Sequence, residues 1–117
     1  MEKTERNFRL TPSEIERWNQ NGYLVRRNVF SPEENNHLYQ VAEDIVHDKR
    51  PFPSAHFDRN ALVKEGKAHG DGIYGMHKLH FPSNYCPEFL DRTRDSRLTD
   101  PLVDLIGPDL LGINTLF

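Results

Sequence analysis

A chain of 117 residues with 36% hydrophobic side chains and a mean hydropathy of −0.75 makes one domain with a modest core. No run nears the ~18 apolar residues of a membrane span, and the opening Met1 to Asn7 lacks the apolar stretch of a secretory signal. The net charge of −3 is spread over interleaved acids and bases, without the basic stripe that a nucleic-acid groove requires.

A soluble, cytoplasmic protein is therefore expected, with neither nucleic acid nor membrane as a partner. Thr115-Leu116-Phe117 is not a peroxisomal address. The single cysteine, Cys86, excludes an internal disulfide and any Cys-x-x-Cys zinc pair, in keeping with a reducing compartment. It reads as a small, partly buried, unreactive thiol.

Two stretches use one device. Thr11-Pro12-Ser13-Glu14 and Ser31-Pro32-Glu33-Glu34 each place a hydroxyl, a proline and, three residues on, a glutamate. The hydroxyl caps the orphan amide of the third helical residue, the glutamate reaches back, and proline sits where its missing N–H costs nothing. Two helix starts are predicted there. Asn21-Gly22 stops the first helix in a left-handed turn, and Tyr23 to Phe30 is a β-branched and aromatic run that predicts a strand. Trp18 and Tyr23 are expected to seat the first helix on the sheet.

The second helix, from about Pro32 to about Asp48, carries Leu38, Val41, Ala42, Ile45 and Val46 on one face, which should lie on a sheet. From Lys49 to Gly72 the pattern dissolves among Pro51, Pro53, Gly66 and Gly70 into a long loop. Ile73 to Phe81 predicts a strand with Met76, Lys78 and His80 on one side and His77, Leu79 and Phe81 on the other, ended by Pro82. A short helix opens at Pro87 and buries Phe89 and Leu90. Another is capped at Thr99 or Asp100 with Pro101 in its first position, and Gly107-Pro108 stop it. Asp109 to Phe117 reads as a strand in progress, and a terminus inside an apolar strand leads us to expect the front part of a longer domain.

The run Leu10-Thr11-Pro12-Ser13-Glu14-Ile15, then Asn21-Gly22-Tyr23-Leu24-Val25, then Asn28-Val29-Phe30-Ser31-Pro32-Glu33-Glu34 resembles the opening segment of the phytanoyl-CoA dioxygenase family. Lys78 in a strand before a helix, and the block Asp104-Leu105-Ile106-Gly107-Pro108-Asp109-Leu110, extend the resemblance over nearly the whole chain. It implies an α+β domain, residues 1–117, made of the N-terminal helices and first strands of a double-stranded β-helix, or jelly-roll barrel, that is incomplete here. It also implies an iron(II)- and 2-oxoglutarate-dependent dioxygenase that hydroxylates a small-molecule or acyl substrate.

In that family a His-x-Asp pair and a distal histidine hold the iron, and an arginine grips 2-oxoglutarate. By the resemblance all of these belong after Phe117, so this chain alone is expected to bind neither Fe(II) nor 2-oxoglutarate and to be inactive. Two positions carry over as cofactor-binding. Lys78 matches a lysine near the co-substrate, where its ammonium can meet a carboxylate, with a solvent-facing strand lysine as the other reading. Leu116 matches an apolar residue lining the co-substrate pocket, with an inward barrel-core leucine as the other.

His56-Phe57-Asp58 is itself a His-x-Asp triplet whose outer side chains would share a strand face. It lies in a stretch broken by proline and glycine, and the third-ligand candidates His69, His77 and His80 are close by in sequence, so no metal site is assigned. His77 and His80, three apart, face opposite sides of a strand and converge only through a bulge. A second class of function stays open: a noncatalytic module docking a partner through the Leu38 to Val46 helix or the strand at Leu116-Phe117. A piece of a barrel, by contrast, is expected to self-associate through an unpaired strand edge.

Overall fold

Both capping boxes form. In the computed structural model, which describes residues 7–117, helix α1 (Pro12–Asn21) follows Thr11, whose hydroxyl accepts from the Glu14 N–H while the Glu14 carboxylate accepts from the Thr11 N–H. Helix α2 (Pro32–Val46) repeats the arrangement with Ser31 and Glu34. Ser31→Ala removes one half of that box and is expected to cost about 1 kcal/mol in a urea melt; a loss below about 0.3 kcal/mol would show the box to be idle. Gly22 ends α1 at φ +75°, a conformation a Cβ opposes.

The remaining elements are β1 (Phe57–Arg59), α3 (Ala61–Lys64), β2 (Met76–Leu79), α4 (Pro87–Thr93) and α5 (Ser96–Ile106). The protein is α+β: mostly helix, with one small antiparallel sheet. No helix among the described residues is long and apolar enough to cross a membrane. The chain divides into two compact units, 7–29 with Asp91–Gly112, and Phe30–Leu90 with Ile113–Phe117.

In the first unit, Asp100 and Asp104 of α5 hold the segment ahead of α1. The Leu10 N–H donates to Asp104 at 2.8 Å and the Phe8 N–H to Asp100 at 3.2 Å, and Leu10 is buried. Arg26 grips Glu14 through Nε and Nη2, both at 2.8 Å, and donates to the carbonyls of Phe8 and Arg9. These bonds, and not a ladder, fix the segment after α1. The strand expected over Tyr23 to Phe30 is absent: no strand lies beside it among the described residues, Tyr23 and Val25 are exposed, and Asn28 turns to φ +56°. β-propensity reports fit to a paired, half-buried surface, and here there is none. Tyr23 is therefore 65% exposed, and Trp18 is only half-buried.

Helix α5 begins earlier than its proline suggests. Asp95 caps it, accepting from the Arg97 backbone N–H at 2.9 Å and from its guanidinium at 2.7 Å, so the Asp95 carboxyl falls to about 2, chiefly through the Arg97 side chain. Pro101 sits inside the helix, forfeiting one i to i−4 bond. Gly107 stops it as expected.

The second unit holds the main apolar core. Leu38, Val41, Ala42 and Ile45 of α2 meet Leu79, Cys86 and Phe89, with Phe52, Phe57, Ile73, Met76 and Phe117 around them. The predicted stripe of α2 is thus consumed by its own core. Cys86 is fully buried, and burial pushes its thiol above the usual range. The Lys49 to Gly72 stretch is less irregular than expected, since it contains a 3₁₀ turn (Ser54–His56), β1 and α3. Elements of three or four residues are too short to show a period. A second 3₁₀ turn, Gly72–Gly75, takes the place of the expected start of β2. There Gly72 adopts φ +57°, and an added Cβ would lie 2.5 Å from Glu43 Oε2, whose companion oxygen Oε1 accepts from the Ile73 N–H at 2.9 Å.

Of the expected strand over Asp109 to Phe117, Thr115 to Phe117 pairs and the rest does not. The Leu79 N–H donates to the Phe117 carbonyl at 2.9 Å, the Phe117 N–H to the Leu79 carbonyl at 3.1 Å, and the Phe81 N–H to the Thr115 carbonyl at 2.9 Å. The Phe117 ring stands edge-on to Tyr39 and Phe89. Backbone bonding thus flanks β2 on both sides, because its other edge pairs with β1.

Candidate functional site

The sheet has two unlike faces. Phe57 opposes Leu79 across the β1–β2 ladder, Leu79 opposes Phe117 across the other, and all three join the core. Alternation then sends Asp58, Lys78, His80 and Leu116 to the opposite face. Asp58 is the register partner of Lys78, and His80 is that of Leu116. A register shift between Asp58 and Arg59 pairs Arg59 with Met76, so Met76 joins Leu79 in the core and not, as strict alternation predicts, Lys78 and His80.

On this second face His80 Nε2 donates to Asp58 Oδ2 at 2.8 Å. That hydrogen bond, aided by the charges of His80, His77 and Lys78, holds the Asp58 carboxyl below its usual range. Lys78 is half-buried beside the pair. Leu116 is 55% exposed and so is not an inward core residue in this structure. The two residues singled out by the family resemblance are therefore diagonal neighbours on one polar sheet face.

The ion pair is expected to respond to acid. A carboxyl whose folded value is depressed stabilises the fold fully above its unfolded value and loses that contribution as the pH falls through the folded one. The His80–Asp58 contact should hold through the ordinary aspartate range and open only in stronger acid, followed as a change in the His80 ring ¹⁵N shifts that Asp58→Asn abolishes. His80 ring shifts that respond to acid identically in both proteins would contradict the pairing.

The His56-Phe57-Asp58 triplet does not act as a unit. The His56 ring stacks on Tyr85 at 5.6 Å and stands edge-on to Phe81, while Asp58 engages His80, 22 positions on. Among the described residues no three His, Cys, Asp or Glu side chains converge on a point where a metal ion could sit, so the described residues do not fit an iron shell. The half-buried Lys78 could instead meet a carboxylate by a charge-assisted bond, since the neighbouring acid, Asp58, already accepts from His80.

Sequence reading missed His80 as the partner of Asp58. The available signal was the alternation that put His80 and Lys78 on one side; what was lacking was β1, three residues long. No protein-family model, curated protein or solved structure matches this chain.

Proposed function

We propose that this chain forms the opening helices and first strands of an iron(II)- and 2-oxoglutarate-dependent dioxygenase of the phytanoyl-CoA dioxygenase type, acting on a small-molecule or acyl substrate. In this reading the complete barrel is a jelly roll. The observation that supports it most is the shared face of Lys78 and Leu116, the two residues that carry over from the resemblance: Lys78 lies on β2, and the segment holding Leu116 pairs directly with the end of that strand. The double capping box and the Gly22 stop, which carry the resemblance at the N-terminus, also support it.

Lys78 is given the task of orienting a co-substrate carboxylate, with Leu116 limiting water on one side of it. The Asp58–His80 pair keeps the nearest acid turned away from that carboxylate. The iron ligands are assigned to sequence beyond this chain, and no step through the metal is derived from the residues present.

The test is 2-oxoglutarate decarboxylation by the whole product of the encoding transcript, supplied with iron(II) and oxygen. Turnover is expected, and Lys78→Ala should raise the KM for 2-oxoglutarate about tenfold, the loss of one charge-assisted bond. A product that never consumes 2-oxoglutarate, or one whose KM ignores Lys78→Ala, would overturn the assignment of the class or of the lysine respectively.

A further inference from the structure

Arg26, Arg50 and Arg97 are each committed to a carboxylate, of Glu14, Glu88 and Asp95 in turn. Arg59 and Lys64 differ. Neither forms an ion pair among the described residues, and both line one cleft of about 530 Å³ together with Ser54, Phe57, Asp58 and His77. Four elements converge there: the Ser54–His56 turn, β1, α3 and β2.

One cationic group is held in place and the other is placed by its helix. The Arg59 guanidinium carbon stands 4.7 Å from the centre of the Phe57 ring; stacking fixes the plane of the group and leaves its N–H edge free to donate. Lys64 rides on α3, whose cap Asn60 accepts from the Leu62 N–H at 3.0 Å and donates its own N–H to the Gly75 carbonyl at 3.0 Å. That second bond ties α3 to the residues just before β2, and so to His77. Asp58 is the one acid among the lining residues, and one oxygen of its carboxylate accepts from His80.

We propose that this cleft binds the phosphate group of a small phosphorylated molecule, with Arg59, Lys64 and His77 as donors and the Ser54 hydroxyl beside them. Three donor side chains from three elements suit a tetrahedral group with three terminal oxygens, whereas a carboxylate offers two in one plane. The cleft has the volume of a small-ligand site. A net charge of −3 works against a polyanion or an anionic membrane as the source of the phosphate. The site lies wholly within Ser54 to His77 and does not depend on the oxygenase reading.

The test is a ¹H–¹⁵N titration of the 117-residue chain with inorganic phosphate and with pyrophosphate, and with succinate as the competing dicarboxylate. Saturable shifts confined to Ser54–Lys64 and His77 are expected, with affinity reduced about tenfold by Arg59→Gln and by Lys64→Ala and kept in Arg27→Ala. Lys64 is exposed, so its variant tests the site even where Arg59→Gln perturbs packing on Phe57. Non-saturating shifts scattered over basic residues, saturable binding indifferent to both substitutions, or succinate bound more tightly than phosphate would each overturn the proposal.

Discussion

Leu79→Ala is expected to remove about 3 to 5 kcal/mol of stability from the second unit. Leu79 is fully buried, lies in the middle of the apolar cluster, and is paired through its backbone to Phe117 as well as facing Phe57. The lost methyl groups leave a cavity between α2 and a sheet too narrow to collapse onto it. A denaturant melt gives the number, and Leu116→Ala, on the exposed side of the same sheet, supplies the contrast, with a change expected within about 0.5 kcal/mol. Equal losses for the two would mean that the faces of the sheet are not as described.

Arg26→Ala is expected to cost the first unit about 2 to 3 kcal/mol, since one guanidinium satisfies Glu14 and two backbone carbonyls. The Glu14 side chain is only 13% exposed with Arg26 over it, so losing its partner strips the carboxylate of two charge-assisted bonds at once. The Arg26 side chain and the Thr11 backbone N–H hold the Glu14 carboxyl down at about 2, from 4.5. Because the folded value is depressed, the stabilisation is complete above pH 4.5 and is lost as acid is added toward pH 2. The wild-type chain should therefore weaken across that window, and Arg26→Ala should show a much flatter acid limb. Arg26→Lys should recover less than half of the loss, because a single ammonium cannot fork between Glu14 and the carbonyls of Phe8 and Arg9. Full recovery by lysine would reduce the contact to simple charge.

Features set by local chemistry were legible in the sequence. Each capping box needs only residues three apart, and the apolar face of α2 needs only a period of 3.6, so both helices began where the hydroxyls said they would. Pairing is not local. Tyr23 to Phe30 has the composition of a strand and no neighbour to pair with, while Phe57–Arg59 has little strand signal and is paired, because β2 supplies it with a ladder. The start of α5 was obscured for another reason: Pro101 mimics a first-turn proline, but Asp95 and Arg97 form a stronger cap one and a half turns earlier.

The candidate site divides the same way. Lys78 and Leu116 were named through resemblance to a family, and nothing in the spacing between them foretold that they share a face. That follows from the register of Thr115–Phe117 on β2. The Asp58–His80 pair depends on the β1–β2 register, and the cleft holding Arg59 and Lys64 depends on the Asn60 cap that turns the chain between them. Short strands and single turns carry these arrangements, and a periodicity argument has too few residues to detect them.

The assignment of this chain to the opening of an oxygenase barrel meets its most direct test in the nucleotide sequence of its transcript beyond the Phe117 codon. The account predicts a further strand pattern and then a His-x-Asp triplet, followed by a distal histidine and an arginine. A reading frame that continues without that triplet, or that closes before one can be encoded, would contradict it.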